Sequence, residues 1–161
     1  MGPERKLYLK LKKYTPRIKW TRLENISLLG TPDLLGYNDS GQYFTVELKV
    51  TKGKKVKFSP HQIAFHVEHP HNSHILIEAH GQRSSKHFPW FLYRGSRIEE
   101  LVTRGLELEP CAWGSDPMSL ELVAWKLAPL CLRACELGSR IVLNFLNLNF
   151  PPNRFPGSGF H

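Results

Sequence analysis

The sequence predicts a single domain that mixes helices with strands, and three observations carry that expectation. A turn-rich stretch, Asn38 to Gln42, separates two apolar segments and marks a β-hairpin. Ser59, Pro60 and Gln62 supply an N-cap, a first helical position and a capping-box partner for a helix. Two short apolar runs then follow, His74 to Ala79 and Trp90 to Arg94, and read as strands. At 161 residues the chain suits one domain, and a hydrophobic content of 41% is enough to build a core.

Taken in order, Arg5 to Lys13 alternates lysine with leucine and tyrosine. The pattern is too short to separate a basic helix from a strand, and we read it as a helix. Arg17 to Asn25 contains the alternating segment Ile18 to Leu23, a strand. The hairpin strands are Pro32 to Tyr37 and Tyr43 to Val50, followed by the basic loop Thr51 to Lys57. The capped helix runs from about Pro60 to Glu68. A polar loop, Gly81 to His87, separates the next two strands, and Gly95-Ser96 opens a short amphipathic helix that Gly105 stops. From Pro110 the composition changes: Asp116-Pro117 can start a helix carrying Leu120, Leu122, Val123, Trp125 and Leu127, which Pro129 bends or ends. The tail from Pro151 to His161 reads as irregular, and there is no internal repeat.

Charge is distributed unevenly. Residues 1–60 hold 13 basic and 5 acidic groups, whereas the other 101 residues hold 9 of each. The whole net charge of +8 therefore belongs to the first 60 residues, which suits a face that meets a polyanion, nucleic acid first and an anionic membrane second. A basic surface that serves solubility is the plain alternative. No run of about 18 apolar residues exists, so no transmembrane helix is expected. The first six residues lack the apolar stretch of a signal peptide. Cys111, Cys131 and Cys135 do not make a secreted disulfide framework, so a reducing cytoplasm is expected.

The hairpin gathers the residues that carry chemistry. Glu47 and Lys49 lie two apart on a strand and leave the same face roughly 7 Å apart, while Leu48 points to the other face. Asp33 begins the neighbouring strand at a spacing that brings it beside Glu47. Two carboxylates and a lysine suit a hard divalent cation such as Mg²⁺, which takes carboxylate, water and phosphate oxygens. They also suit phosphodiester hydrolysis, with Lys49 orienting or deprotonating the water. Taken alone, the Glu-X-Lys spacing fits an ion pair on an exposed strand face better than a catalytic centre.

Gly30-Thr31-Pro32-Asp33, a spacer of 13 residues and Glu47-Leu48-Lys49 together resemble the PD-(D/E)XK nuclease superfamily. With Phe58-Ser59-Pro60-His61-Gln62 after them, they look most like its VRR-NUC group, including small stand-alone phage and bacterial members similar in fold to archaeal Holliday junction resolvases. The resemblance covers about Trp20 to Glu100. It implies an α/β fold, a restriction-endonuclease-like mixed β-sheet flanked by helices, with a nuclease core at 1–108. Residues 109–161 would form a C-terminal extension, helical then irregular, packed on the core or at a dimer interface. It implies Asp33 and Glu47 as ligands of Mg²⁺ or Mn²⁺, the Leu48 carbonyl beside them, and Lys49 assisting the water. Gln62 matches a position near the site and equally suits the capping box alone. Glu24 matches an upstream acidic ligand of many members, and an ordinary strand-end carboxylate reads as well.

The implied activity is metal-dependent endonucleolytic cleavage of DNA, leaving a 5′-phosphate and a 3′-hydroxyl, with branched DNA such as a Holliday junction as substrate. Symmetric junction cutting implies a homodimer, and a phage-encoded member would act in the host cytoplasm. The alternatives are a nuclease of another class, on flaps, nicks or RNA, and a non-catalytic nucleic-acid-binding protein of the same fold. Lys52, Lys54, Lys55 and Lys57 follow the catalytic strand and could grip phosphates without reading sequence, and Lys10, Lys12 and Lys13 could do so from the first segment. The cluster of His61, His66, His69, His71 and His74 fits no strong zinc spacing and reads as exposed or DNA-facing. Cys131 and Cys135 read as core packing, and Arg83 to His87 as a phosphate-contacting or solvated loop.

Overall fold

The computed structural model describes residues 1–23, 30–81 and 88–127. Expectations for Glu24, for the Arg83–His87 loop, for Cys131 and Cys135, and for the segment from residue 128 onward lie outside the described residues. The first compact unit spans Met1–Ala128, and no described helix is long and apolar enough to cross a membrane.

Six strands form one mixed sheet in sequential order: β1 (Lys19–Arg22), β2 (Leu34–Tyr37), β3 (Tyr43–Thr51), β4 (Ser73–Ala79), β5 (Trp90–Arg94) and β6 (Ala112–Gly114). All neighbours are antiparallel except the central pair, β3 and β4. Helix α1 (Pro3–Tyr14) precedes the sheet, α2 (Pro60–Glu68) makes the crossover that a parallel pair requires, α3 (Ile98–Arg104) follows β5, and α4 (Glu121–Lys126) follows β6.

Each element has a local cause. Pro3 opens α1, Glu4 sits in its first turn and Lys12 and Lys13 in its last, in accord with the helix dipole. The ambiguous leucine pattern resolves as a helix because Leu7 and Leu11, four apart, are buried while Leu9 between them is exposed. The hairpin turn is built by Asn38, whose Oδ1 accepts from the amides of Ser40 (3.1 Å) and Gln42 (3.0 Å), with Gly41 at φ 76°. Ser59 caps α2 by accepting from the Gln62 amide at 3.2 Å, and Gln62 Oε1 returns the bond to the Ser59 amide at 3.0 Å.

The sheet separates two apolar layers. Val46, Leu48, Leu76 and Leu92 face Leu7 and Leu11 of α1 and Val123 of α4. Ile75, Ile77 and Tyr93 on the opposite face pack with Ile98 and Leu101 of α3 and, at the margin, Ile63 of α2. Glu47 and Lys49 share this second face, since they pair with Ile75 and Ile77. Strand β6 has no counterpart in the sequence reading. Its three residues offer too short a pattern, and it forms because Leu92, Phe91 and Trp90 present the open edge of β5 to Ala112, Trp113 and Gly114. The helix expected after Asp116 begins with a 3₁₀ turn (Met118–Leu120), and Trp90 Nε1 donates to Ser119 Oγ at 2.9 Å to hold it against β5.

Candidate active site

Pairing of β2 with β3 ends at Leu34 opposite Val46, so Asp33 stands one residue beyond, opposite Glu47. Asp33 is fixed through both its backbone and its side chain. Its carbonyl accepts from the Leu23 amide at 2.8 Å, extending the pairing with β1, and its Oδ2 accepts from the Leu48 amide at 2.8 Å. The side chain thus takes the place of the missing β2 backbone and closes the end of the hairpin ladder. Gly30, at φ 89°, begins this approach: a Cβ there would lie 2.5 Å from the His61 carbonyl oxygen. Only glycine lets the Asp33 loop lie so close to the start of α2.

Glu47 is 1% exposed in the centre of the sheet. Its Oε1 receives Lys49 Nζ at 2.9 Å and the side-chain amide of Gln62. Lys49 is itself 16% exposed and stands 5.6 Å from the centre of the Phe58 ring. Gln62 therefore performs both roles the sequence left open, its oxygen capping α2 and its nitrogen gripping Glu47. Burial first, and then the neighbouring Asp33 charge, push the Glu47 carboxyl up to about 7, against the pull of Lys49. Asp33 is raised from its ordinary value as well, chiefly by burial, although the Leu48 amide and Lys49 oppose this.

A cleft of about 340 Å³ opens beside Asp33 and Leu48. Its other walls are Gly2, Glu4, Arg5 and Tyr8 from the first turns of α1, Arg22 from β1, and Leu34. Glu4 is near enough that its charge also raises Glu47. Sequence alone does not point to Glu4, Arg5 and Tyr8, because α1 reaches the cleft only through tertiary packing, nor to Arg22, which comes to it by the pairing of β1 with β2. The one available signal was an acidic residue next to a basic one at a helix start.

The donor set fits a hard divalent cation. Every candidate ligand is an oxygen, from Asp33, Glu47 and the Leu48 carbonyl, and a buried and a half-buried carboxylate that repel one another gain from a cation between them. Among the described residues no three His, Cys, Asp or Glu side chains gather tightly enough to enclose a metal. A cation here would complete its shell with water and phosphate oxygens, as Mg²⁺ does.

The lysines divide into two sets. Lys10 pairs with the buried Glu78 at 2.6 Å, and Lys54 with Glu107 at 3.0 Å. Lys12, Lys13, Lys52, Lys55 and Lys57 are exposed. The basic loop is folded rather than loose: Thr51 Oγ1 donates to the Lys55 carbonyl at 2.9 Å, and the Leu106 amide donates to the Lys54 carbonyl at 2.8 Å.

No protein-family model matches the chain, and no curated protein matches it. Among solved structures it is similar to Hjc of Archaeoglobus fulgidus, a Holliday junction resolvase from an archaeal hyperthermophile. The identity is 17%, 75% of this chain and 96% of that chain are covered, and the TM-score is 0.42.

Proposed function

We propose that the chain is a divalent-metal-dependent endodeoxyribonuclease of the PD-(D/E)XK type, akin to the VRR-NUC group. The observation that carries this reading is the convergence of Asp33, Glu47 and Lys49 at the end of one hairpin, with Gln62 on Glu47, in the order and spacing of the motif. An ion pair on an exposed strand face would not be buried and would not be pushed toward neutrality.

Asp33, Glu47 and the Leu48 carbonyl would hold Mg²⁺ or Mn²⁺. When bound, the cation supplies charge neutralisation of the phosphodiester and acidification of a water. Lys49, held between Glu47 and the Phe58 ring, has its ammonium fixed beside the reacting phosphate, where it orients the attacking water and offsets charge on the pentavalent centre. Arg5, Arg22 and Tyr8 line the far wall of the cleft and supply donors to a phosphate lodged there. Glu4 adds a carboxylate on the α1 side of the cleft. The exposed lysines hold flanking phosphates without reading bases.

The substrate proposed is branched DNA, on the motif resemblance, with two chains acting together so that a four-way junction is cut symmetrically. The test is cleavage of labelled four-way junction, flap, linear duplex and single-stranded DNA with Mg²⁺, Mn²⁺ or EDTA, beside Lys49→Ala. Metal-dependent cutting that the variant loses supports the reading, and the preferred substrate separates a resolvase from a flap or general nuclease. Binding without cutting under every metal would replace it with a non-catalytic DNA-binding protein.

A further inference from the structure

The face of the sheet that bears the carboxylates continues away from them along the hairpin. Beyond Asp33 and Glu47 come Leu35 opposite Thr45, then Tyr37 opposite Tyr43, at intervals of roughly 7 Å along each strand. Phe65 of α2 and His69, the residue that caps its C-terminus, stand over this stretch, their rings stacked at 4.4 Å and 19°. Between them lies a groove of about 200 Å³, with Leu35 and Thr45 among the residues of its floor and Tyr43, Phe65 and His69 in its walls. Two features set it apart from ordinary packing. Tyr43 is 61% exposed although it is a large aromatic. Thr45 Oγ1 is buried and has no hydrogen-bond partner, a cost that folded proteins seldom leave standing.

We infer that this groove receives an unpaired nucleobase of the strand whose phosphate lies at the carboxylates, so that the site acts where DNA is unstacked rather than on continuous duplex. The inference rests on the nuclease reading and deepens it by naming the substrate class. A flat apolar slot with aromatic walls takes any base by its π-face. Continuity argues for DNA over other occupants, because the floor residues Leu35 and Thr45 are the next same-face neighbours of Asp33 and Glu47. A second copy of the chain is a poor fit, since a stable dimer buries about 800 Å² per partner and this slot is the size of one planar ring.

The test uses the full chain in EDTA, so that nothing is cut. The probe is a short single-stranded oligodeoxynucleotide carrying a fluorescent adenine analogue, beside a fully paired duplex of the same sequence. Wild type should quench the analogue as it stacks. Tyr43→Ala should weaken single-strand binding about five- to a hundredfold while changing duplex binding less than about twofold, and Tyr43→Phe should restore it. Equal binding of both DNAs with no effect of Tyr43→Ala overturns the inference, as does a wild type that binds neither. A loss of dimer in sedimentation on Tyr43→Ala, without a change in DNA binding, would assign the groove to a second copy and overturn it too. Selective single-strand quenching with no cutting under any metal would leave the groove standing and remove the nuclease reading instead.

Discussion

Glu47→Gln should make the protein more stable at pH 8, although it removes an ion pair. In the folded chain the Glu47 carboxyl is pushed from 4.5 up to about 7. The folded state therefore binds more protons than the unfolded state between these values. Stability falls as pH rises through that window, and the loss is complete above about 7. Two and a half units at 1.36 kcal/mol each set a ceiling of about 3 kcal/mol. Glu47 is almost fully buried, so solvent screens little of it. Against this, glutamine gives up the 2.9 Å contact with Lys49 while keeping a partner for Gln62. The net expectation is a gain of about 1–2 kcal/mol at pH 8, shrinking to below about 1 kcal/mol at pH 5, where Glu47 is already protonated in the fold.

Urea unfolding of both proteins at the two pH values, followed by tryptophan fluorescence, measures this directly. If Glu47→Gln is the less stable protein at pH 8, or if the difference between the two is the same at both pH values, then burial and Asp33 do not strain Glu47 and the electrostatic account of the site fails. Mg²⁺ extends the test. It should stabilise wild type by RT ln(1 + [Mg²⁺]/Kd) and the variant much less, because the variant lacks one of the two carboxylates.

Three further outcomes follow from the same geometry. Gln62→Glu keeps an oxygen for the Ser59 amide but sets a second carboxylate against Glu47, so it should melt within about 3 °C of wild type in mild acid yet lose tenfold or more in cleavage rate. Gln62→Ala should lose both the rate and about 1 kcal/mol of stability. Alanine at Lys52, Lys55 or Lys57 should reduce the slope of log affinity against log salt by about one each, and alanine at Lys54, already paired with Glu107, by less. His66 and His74, which the sequence reads as exposed or DNA-facing, are instead buried and half-buried and held down to about 4, chiefly by that burial, so their imidazole signals in an NMR titration should stay in the neutral position from pH 8 down to about 5. Stability should fall as pH drops from 6.5 toward 4, because only the unfolded chain takes up those protons, and titration of either ring near 6.5 would contradict this.

How much the chain discloses before folding depends on how local each cause is. The hairpin, the α2 cap and the Asp33, Glu47 and Lys49 triplet are legible because turn chemistry, a capping box and the two-residue period of a strand act within a few positions. Helix α1 was only half legible, since Leu7, Leu9 and Leu11 satisfy both periods and the choice is made by which two of them find the sheet. Strand β6 was not legible at all, because its reason lies in the open edge of β5. Glu4 and Arg5 belong with β6: their sequence distance from Asp33 conceals a shared cleft, formed by packing Leu7 and Leu11 onto Leu48 and Leu76.

The double use of Gln62 bears on why the site is so placed. A buried, partly neutral glutamate at the centre of a sheet is costly unless its oxygens are held, and it can be held only by donors that are themselves fixed. Lys49 is fixed by strand β3, which pairs on both sides. Gln62 is fixed because its oxygen is committed to the Ser59 amide, which leaves its nitrogen with one orientation. The helix cap is thereby converted into a positioning device for Glu47. Asp33, closing the ladder through the Leu48 amide, does the same for the second carboxylate. Each charged group is thus aimed by a bond the fold needs anyway. The electrostatic strain between Asp33 and Glu47 is thereby held in place rather than relaxed through movement of the side chains.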